Sequence, residues 1–328
     1  MYTLYPMKFT PILKEKVWGG KKLNALLGKD FDPLPNCGES WEISGMPGHV
    51  SVVQNGFLAG NELPELIEVY MGELVGESVF DQFGSNFPLL FKFLDTADDL
   101  SIQVHPGDAM AMERHHSRGK TEMWYVVDAS PGAEILLGFH EDVTPGLFRD
   151  KLMDKSVKDL LQSHAVKPGD VFYIPAGQIH AIGKGVTLCE IQQASDITYR
   201  VYDWDRPGID GNPRKLHVEE AMEALEFSPR DGRVAYEAKK NTPVELVGVP
   251  EFTTRLLAFD QQINQEYVFV DSFVVYVCLK GRFSINFAGG STGVAAGECV
   301  LIPAEIDHLA LHPEGHCEVL ETYLVSYQ

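Results

Sequence analysis

The sequence has few cysteines, no long apolar run and too few basic residues to balance its acidic ones. Its five cysteines are scattered along 328 residues, and none belongs to a Cys-x-x-Cys pair. This pattern argues against a disulfide framework and a thiolate metal site, and it favours a reducing cytoplasm. No apolar run is long enough to span a membrane. The opening segment, MYTLYPMKFTPILKEKVWGG, also lacks the basic-then-apolar order of a signal peptide.

The charge balance limits the possible partners. A formal net charge of -20 argues against nucleic acid, because a phosphate backbone needs a basic protein face. A small phosphorylated molecule remains compatible, since it needs only about two or three local cations or free backbone N–H groups. The apolar content of 45% and charged content of 23% are those of a soluble globular protein. We therefore expect a cytoplasmic protein that binds neither membranes nor nucleic acid.

Short apolar segments separated by Gly and Pro predict a mainly β fold. Strands are expected at ESWEIS, LSIQVH, EMWYVVD, GDVFYIP, VTLCEIQQ, SFVVYVCLKGRFSINF and ECVLIP. Helical periodicity appears in three places, at roughly 62–82, 144–163 and 217–226. Many short strands with few helices are typical of a sandwich or jelly roll that carries helical insertions.

An internal repeat indicates two copies of one architecture. Residues 169–181 read GDVFYIPAGQIHA, and residues 297–310 read GECVLIPAEIDHLA. The first copy fits the second cupin motif, G-x5-P-x-G-x2-H, at Gly169, Pro175, Gly177 and His180. The second copy has Glu305 at the position of the second glycine and retains His308. The repeat predicts two cupin jelly-roll β-barrels in tandem.

The two predicted barrels differ in their expected roles. Residues 1–235 would form a metal-binding catalytic domain with the helical insertions, and residues 236–328 would form a degenerate barrel without metal. His308 has no acidic or histidine partner at strand spacing in its own barrel. The inward positions of that barrel, Val274, Tyr276 and Cys278, are apolar or weakly polar. We expect it to act as a structural cap.

Polar side chains in three segments of the first barrel predict a metal site. In LSIQVHP, strand alternation places Ser101, Gln103 and His105 on one face. Convergence of Gln103, His105, Glu122 and His180 would supply two oxygens and two nitrogens. This set suits Zn²⁺ first, with Mn²⁺, Fe²⁺ or Co²⁺ as alternatives. Without a thiolate the site is expected to be catalytic, with an open position. Gln103 is the weakest ligand, and its alternative role is to orient Glu122 or a water.

The segment QQASDITYRVYDWDRPG supplies a cation near this site. Arg200 is expected at the mouth of the barrel, where it could meet an anionic group. The alternative is an exposed ion pair with Asp196, which would contribute little stability.

Four motifs taken together resemble a known family. LSIQVHP, GKTE, PAGQIHAI and SDITYRVYD, in that order, are similar to the type I mannose-6-phosphate isomerases, specifically the short bacterial form. VWGG at 17–20 and ESWEIS at 39–44 resemble the opening segments of that family. The resemblance covers essentially the whole chain. It implies a zinc-dependent cupin that interconverts mannose 6-phosphate and fructose 6-phosphate.

The resemblance also implies roles for individual residues. His105, Glu122 and His180 would hold one Zn²⁺ per chain, with Gln103 as the fourth ligand of the longer family members. Arg200 would be catalytic, and Lys120, two residues before the glutamate ligand, falls on the family's lysine. The longer members carry a large helical insertion between Glu122 and His180, which this chain does not have. Substrate preference carried over from those forms is therefore less secure.

Aldose–ketose isomerisation requires a base, a proton shuttle and stabilisation of an enediolate. Asp196, Glu42 and a hydroxide held by the metal are alternatives for the base, and Trp18, Glu42, Ser101 and Asp196 are the expected substrate contacts. Two rival functions use the same fold. A cupin oxygenase would bind Fe²⁺ through two histidines and a carboxylate, and a sugar-binding cupin would catalyse no reaction. The cations Lys120 and Arg200 near one site favour the isomerase.

Overall fold

The structure is a computed structural model that describes residues 3–325. Antiparallel strands dominate this part of the chain. The helices are α1 (Lys22–Leu27), α2 (Leu63–Val75), α3 (Glu77–Phe83), α4 (Asp108–His115), α5 (Pro145–Met153), α6 (Val218–Ala224) and a 3₁₀ turn (Val157–Leu160). None of these helices is long and apolar enough to cross a membrane.

The strands fall into two groups along the chain. The first fourteen are β1 (Met7–Lys8), β2 (Ile12–Lys14), β3 (Glu39–Met46), β4 (His49–Val50), β5 (Leu89–Asp95), β6 (Ile102–Val104), β7 (Glu122–Ala129), β8 (Glu134–Phe139), β9 (Leu161–Ala165), β10 (Val171–Ile174), β11 (His180–Ile182), β12 (Val186–Gln193), β13 (Tyr199–Tyr202) and β14 (Arg233–Val234). The remaining nine are β15 (Val244–Val249), β16 (Phe252–Phe259), β17 (Ile263–Glu266), β18 (Val274–Lys280), β19 (Arg282–Phe287), β20 (Gly290–Ala295), β21 (Cys299–Ile302), β22 (His308–Pro313) and β23 (Cys317–Tyr323).

Four sheets form two similar pairs. An eight-stranded sheet (β14-β10-β7-β12-β5-β3-β2, with β4 on β3) and a five-stranded sheet (β13-β6-β11-β8-β9) make up what we call the N-terminal half. A six-stranded sheet (β1-β21-β18-β23-β16-β15) and a four-stranded sheet (β17-β22-β19-β20) make up the C-terminal half. The order β10-β7-β12-β5-β3 in one half matches β21-β18-β23-β16-β15 in the other. The strand order therefore repeats along with the sequence motif.

The first strand is an exception to the division of the chain at residue 235. β1 pairs with β21, with Met7 opposite Leu301, so the start of the chain completes a sheet of the C-terminal half. Met7 is fully buried and belongs to a hydrophobic cluster that also contains residues of β18 and β21. An N-terminal domain of residues 1–235 therefore does not account for the first strand.

The predicted elements are largely confirmed, with three differences among the helices. The region 62–82 forms α2 and α3, because the backbone changes direction at Gly76, which has φ 96°, and α2 is itself kinked at Met71, which has φ 45°. The region 144–163 is helical only to Leu160, after which Leu161 begins β9. Helices α1 and α4 were not predicted, since both are too short to show a clear periodicity.

The two copies of the repeated motif bend differently. Gly169 and Gly297 have φ of 89° and 86°, a left-handed conformation that favours glycine. Gly177 has φ 88°, and its N–H donates to the carbonyl oxygen of His105 at 2.9 Å. This bond holds the turn before His180 against the end of β6. Glu305, at the equivalent position, is not among the positive-φ residues, and His308 is exposed.

Candidate metal centre and cleft

Three strands bring the predicted ligands together. His105 follows β6, and Glu122 and His180 begin β7 and β11. The three residues form one buried cluster, with candidate ligand atoms within 4.8 Å of one another. Glu122 Oε1 lies 3.7 Å from His105 Nε2 and 3.4 Å from His180 Nε2. All three side chains are at most 1% exposed. The predicted convergence of these three residues is confirmed.

Both imidazoles present Nε2 to the cluster. His105 Nδ1 lies 2.8 Å from the Ile197 carbonyl oxygen, and His180 Nδ1 lies 2.9 Å from that of Gln178. A proton on each Nδ1 satisfies these carbonyls and leaves Nε2 with a free lone pair. Burial lowers the pKa of His180 to about 4 and that of His105 well below its usual value. Both rings are therefore neutral near pH 7, as metal ligation requires.

Glu122 is a buried ligand candidate whose carboxylate lacks a hydrogen bond. Both carboxylate oxygens are buried, and neither makes a hydrogen bond. Lys120 Nζ lies 3.1 Å from Oε2, but not in hydrogen-bonding geometry. Burial raises the pKa of Glu122 to about 7, against the opposing effect of Lys120. A buried carboxylate without hydrogen bonds is costly, and a divalent cation would offset that cost. The donor set of two neutral imidazoles and one carboxylate fits such an ion.

Gln103 presents a nitrogen, not an oxygen, to this cluster. Its Nε2 lies 3.2 Å from His180 Nε2, while its Oε1 accepts a hydrogen bond from the Ser101 hydroxyl at 3.2 Å. An amide nitrogen is not a metal ligand. This arrangement favours the alternative role for Gln103, which is to hold the groups beside the ion.

A buried ion pair next to the cluster was not predicted. Lys92 Nζ donates to Glu190 Oε1 at 2.8 Å and to Gln192 Oε1 at 2.6 Å, and Trp124 Nε1 donates to Glu190 Oε2 at 2.9 Å. Burial raises the pKa of Glu190, but Lys92 and Lys120 lower it further, so the net shift is downward and Glu190 stays ionised. The sequence offered one sign of this pair, which is a charged residue inside each of two largely apolar segments, LLFKFLD and VTLCEIQQ.

A cleft of about 320 Å³ opens over these groups. It contains most of the predicted substrate contacts and both predicted catalytic residues: Trp18, Ser101, Asp196, Lys120 and Arg200. Gln103 and Lys120 connect its wall to the metal cluster. A larger cavity of about 410 Å³, lined partly by Phe83 and Arg118, includes neither Gln103 nor Lys120, the two residues that contact the cluster. The smaller cleft is therefore the candidate substrate site.

Glu42 lies elsewhere. Its carboxylate accepts hydrogen bonds from Lys29 Nζ at 2.7 Å and from the Ser40 hydroxyl at 2.6 Å. It lines a different cavity, together with Lys29 and Glu298. The structure does not bring Glu42 to the cleft, because its side chain points to the opposite face of β3 from Glu39 and Trp41, which do line it.

Arg200 lies at the metal end of the cleft, where it is in register with Gln103 on the neighbouring strand. Its Nη1 donates to the Lys215 carbonyl oxygen at 2.9 Å, and its buried Nε makes no hydrogen bond. The alternative considered from the sequence, an Asp196–Arg200 ion pair, does not form, since neither residue has an ion-pair partner among residues 3–325. The backbone after the strand, not Asp196, positions the guanidinium.

Known proteins are similar to this chain over nearly its whole length. The family model of the phosphomannose isomerase type I catalytic domain matches residues 7–124. A mannose-6-phosphate isomerase from Streptococcus mutans is 37% identical over 320 residues, which are 97% of this chain and 98% of that protein. This chain belongs to the type I phosphomannose isomerases.

Other members confirm the family and the fold. A probable mannose-6-phosphate isomerase from Bacillus subtilis is 35% identical over 96% of this chain and 98% of that protein. The crystal structure of a mannose 6-phosphate isomerase from the same organism superposes with a TM-score of 0.87 at 32% identity, covering 97% of this chain and 99% of that one. The resemblance stated from the four sequence motifs is thus confirmed.

Proposed function

We propose that this chain interconverts mannose 6-phosphate and fructose 6-phosphate with the help of one divalent ion held by His105, Glu122 and His180. The observation that carries the proposal is the buried Glu122 carboxylate, which lacks hydrogen bonds and lies beside the Nε2 atoms of two neutral imidazoles. Membership of the type I family supports the reaction. Zn²⁺ is the first choice for two nitrogens and a carboxylate, with Mn²⁺, Fe²⁺ or Co²⁺ as alternatives.

The cleft residues divide the work of isomerisation. When bound, the ion supplies Lewis-acid stabilisation of charge on the oxygens of C1 and C2. Arg200 and Lys120 are cations that line the cleft and would donate hydrogen bonds to those oxygens. Gln103 would keep the His180 ring in place. Each of these roles needs a side chain already held in position, and the contacts of Arg200 with Lys215 and of Gln103 with Ser101 provide that.

Glu190 is our candidate for moving the proton between C1 and C2. It lines the cleft, it is ionised, and Lys92 and Trp124 hold its two oxygens in fixed directions. A base must be unprotonated and positioned before the substrate arrives. Asp196 also lines the cleft and remains the alternative, whereas Glu42 does not.

For the fold, we propose that each half is a cupin jelly roll and that the two stand in tandem. The repeated motif and the repeated strand order support this. The C-terminal half would bind no metal. A cytoplasmic location is proposed from the five cysteines, which are all free and buried.

The test is conversion of mannose 6-phosphate to fructose 6-phosphate by the purified protein, before and after chelation and after return of Zn²⁺. We expect activity that chelation abolishes and Zn²⁺ restores. The double variant His105→Ala, His180→Ala should be inactive, with His308→Ala as the matched control. Full activity after complete metal removal would contradict the metal role. Dioxygen consumption by Fe²⁺-loaded protein without isomerisation would favour the oxygenase instead.

A further inference from the structure

Lys14 lies in the cleft on the last residue of β2. It is opposite Glu39 of β3 and is partly buried. Its Nζ lies 3.3 Å from the centroid of the Trp41 ring, so the ammonium rests on the face of a buried indole. A cation in this position is attracted by the electron-rich ring face. The contact holds the lysine head at one place in the cleft wall.

Two carboxylates lie near Lys14, Glu39 and Asp196, and neither forms an ion pair with it within 4.0 Å. Glu39 pairs with Lys16 at 3.1 Å and accepts a hydrogen bond from Trp41 Nε1 at 2.7 Å. The other three lysines of the cleft, Lys16, Lys92 and Lys120, each lie within 4.0 Å of a carboxylate oxygen. Among the described residues, Lys14 Nζ has neither an ion pair nor a hydrogen bond. Its ammonium therefore has no direct polar partner in the described part of the protein.

The pKa of Lys14 is consistent with an ammonium that has no direct partner. Burial lowers the pKa of Lys14 to about 8; Lys16 and Lys92 add to the shift, and Glu39 and Asp196 oppose it. The charged form of Lys14 is therefore disfavoured mainly because the ammonium is partly buried without a direct partner. An anionic ligand would be attracted to it and would stabilise the charged form of the lysine.

Lys14 and Arg200 belong to different sheets of the cleft wall. Both line it, and neither has an ion-pair partner among the described residues. Arg200 is in register with Gln103 beside the metal cluster. Lys14 lies on β2, and β3, β5 and β12 separate this strand from β7, which carries Glu122. An open-chain hexose 6-phosphate has the same polarity, since its reacting carbons and its phosphate are at opposite ends of the molecule.

We propose that Lys14, held against Trp41, binds the phosphate group of the substrate at the end of the cleft away from the metal. The proposal rests on the proposed function for the identity of the sugar. The lysine ammonium is a compact charge with three N–H donors. It suits a phosphate group whose oxygens it approaches from one side. Arg200 is then left free to act on the reacting carbons.

The test compares Lys14→Met, which keeps an apolar stem on Trp41, with Lys14→Arg, which keeps the charge. Lys8→Met is the matched control, because Lys8 lies outside the cleft and pairs with Glu298. We expect Lys14→Met to raise KM for mannose 6-phosphate about 10- to 100-fold with kcat within about twofold, as for loss of one charged hydrogen bond. Lys14→Arg and Lys8→Met should stay within about threefold of wild type.

Binding of inorganic phosphate, measured by calorimetry, separates this proposal from the proposed function. Lys14→Met should weaken it by the same factor whether or not the protein turns over mannose 6-phosphate. Inhibition by free mannose, which has no phosphate, should be unchanged. Should Lys14→Met fail to fold by circular dichroism, Lys14→Gln replaces it. Unchanged phosphate affinity in a folded variant, or a fall in kcat with KM intact, would overturn the assignment.

Discussion

The two halves of the molecule contain the same buried arrangement and use it differently. In each, a glutamate on one strand lies between a cation and an aromatic residue on the two neighbouring strands. The three residues are Lys92, Glu190 and Trp124 in the N-terminal half and Arg255, Glu321 and Tyr276 in the C-terminal half. Their strands, β5-β12-β7 and β16-β23-β18, occupy equivalent places in the two sheets.

The difference lies in what surrounds the glutamate. Glu321 is fully buried and is bonded by Arg255, Gln265 and Tyr267, and Tyr267 is bonded in turn to Tyr276. Its polar atoms are satisfied by the protein. The glutamate of the N-terminal half instead lines an open cleft, beside a second carboxylate, Glu122, that has no hydrogen bond. A satisfied buried network supports the fold, whereas unsatisfied groups facing a cleft are available to a ligand.

The largest expected contrast comes from the same substitution in each half. Glu190→Gln should lower kcat by about 10²- to 10⁴-fold, as for loss of an acid–base group, and should also lower the free energy of unfolding by about 3–5 kcal/mol, because Lys92 loses its buried partner. Glu321→Gln should leave kcat near wild type and lower the free energy of unfolding by about 3–5 kcal/mol, because Arg255 loses its buried partner. Steady-state kinetics of both variants measure kcat, and urea unfolding measures their free energies of unfolding. A large kcat loss in Glu321→Gln would remove the distinction between the halves.

Arg200→Lys tests whether Arg200, at the metal end of the cleft, stabilises the transition state. Lysine keeps the charge but loses the planar donor that the Lys215 carbonyl positions. We expect kcat to fall about 10²- to 10³-fold with KM little altered. Steady-state kinetics with mannose 6-phosphate decide the matter. Full kcat with a much raised KM would instead move the phosphate to Arg200 and contradict the orientation proposed from Lys14.

The pH dependence of KM for mannose 6-phosphate should follow the protonation state of Lys14. Lys14 is charged below its pKa of about 8, and the groups around it are Glu39, Lys16, Lys92 and Asp196. As the pH rises through about 8, the lysine loses its proton and phosphate binding should weaken, so KM should rise up to about tenfold by pH 9.5. In Lys14→Arg the guanidinium stays charged and KM should be flat over this range. The same rise in both proteins would exclude Lys14 as its source.

His308→Ala should have the smallest effect. His308 is exposed, and no described histidine, cysteine or carboxylate forms a metal cluster with it. Metal content and turnover should both stay within error of wild type. A clear loss of bound metal in this variant would show that the C-terminal half also holds an ion.

The sequence predicted the metal cluster because strand alternation and a motif specify which way side chains point. Ser101, Gln103 and His105 occupy one face of β6 as period-2 alternation requires, and Gly177 bends the chain before His180. The Lys92–Glu190 pair was missed since two isolated charges in apolar strands do not reveal that the strands are neighbours. The environment of Arg200 was missed for a similar reason, because a backbone carbonyl at Lys215, distant in sequence, takes the place assigned to Asp196.

The central claim is that one half of this chain holds a catalytic metal and the other half holds none. Elemental analysis of the purified protein, alongside the double variant His105→Ala, His180→Ala, tests it most directly. The account predicts one divalent ion per chain in the wild type and in His308→Ala, and none in the double variant, whose isomerase activity is lost with the metal. A normal metal load in the double variant, or about two ions per chain in the wild type, would contradict the account.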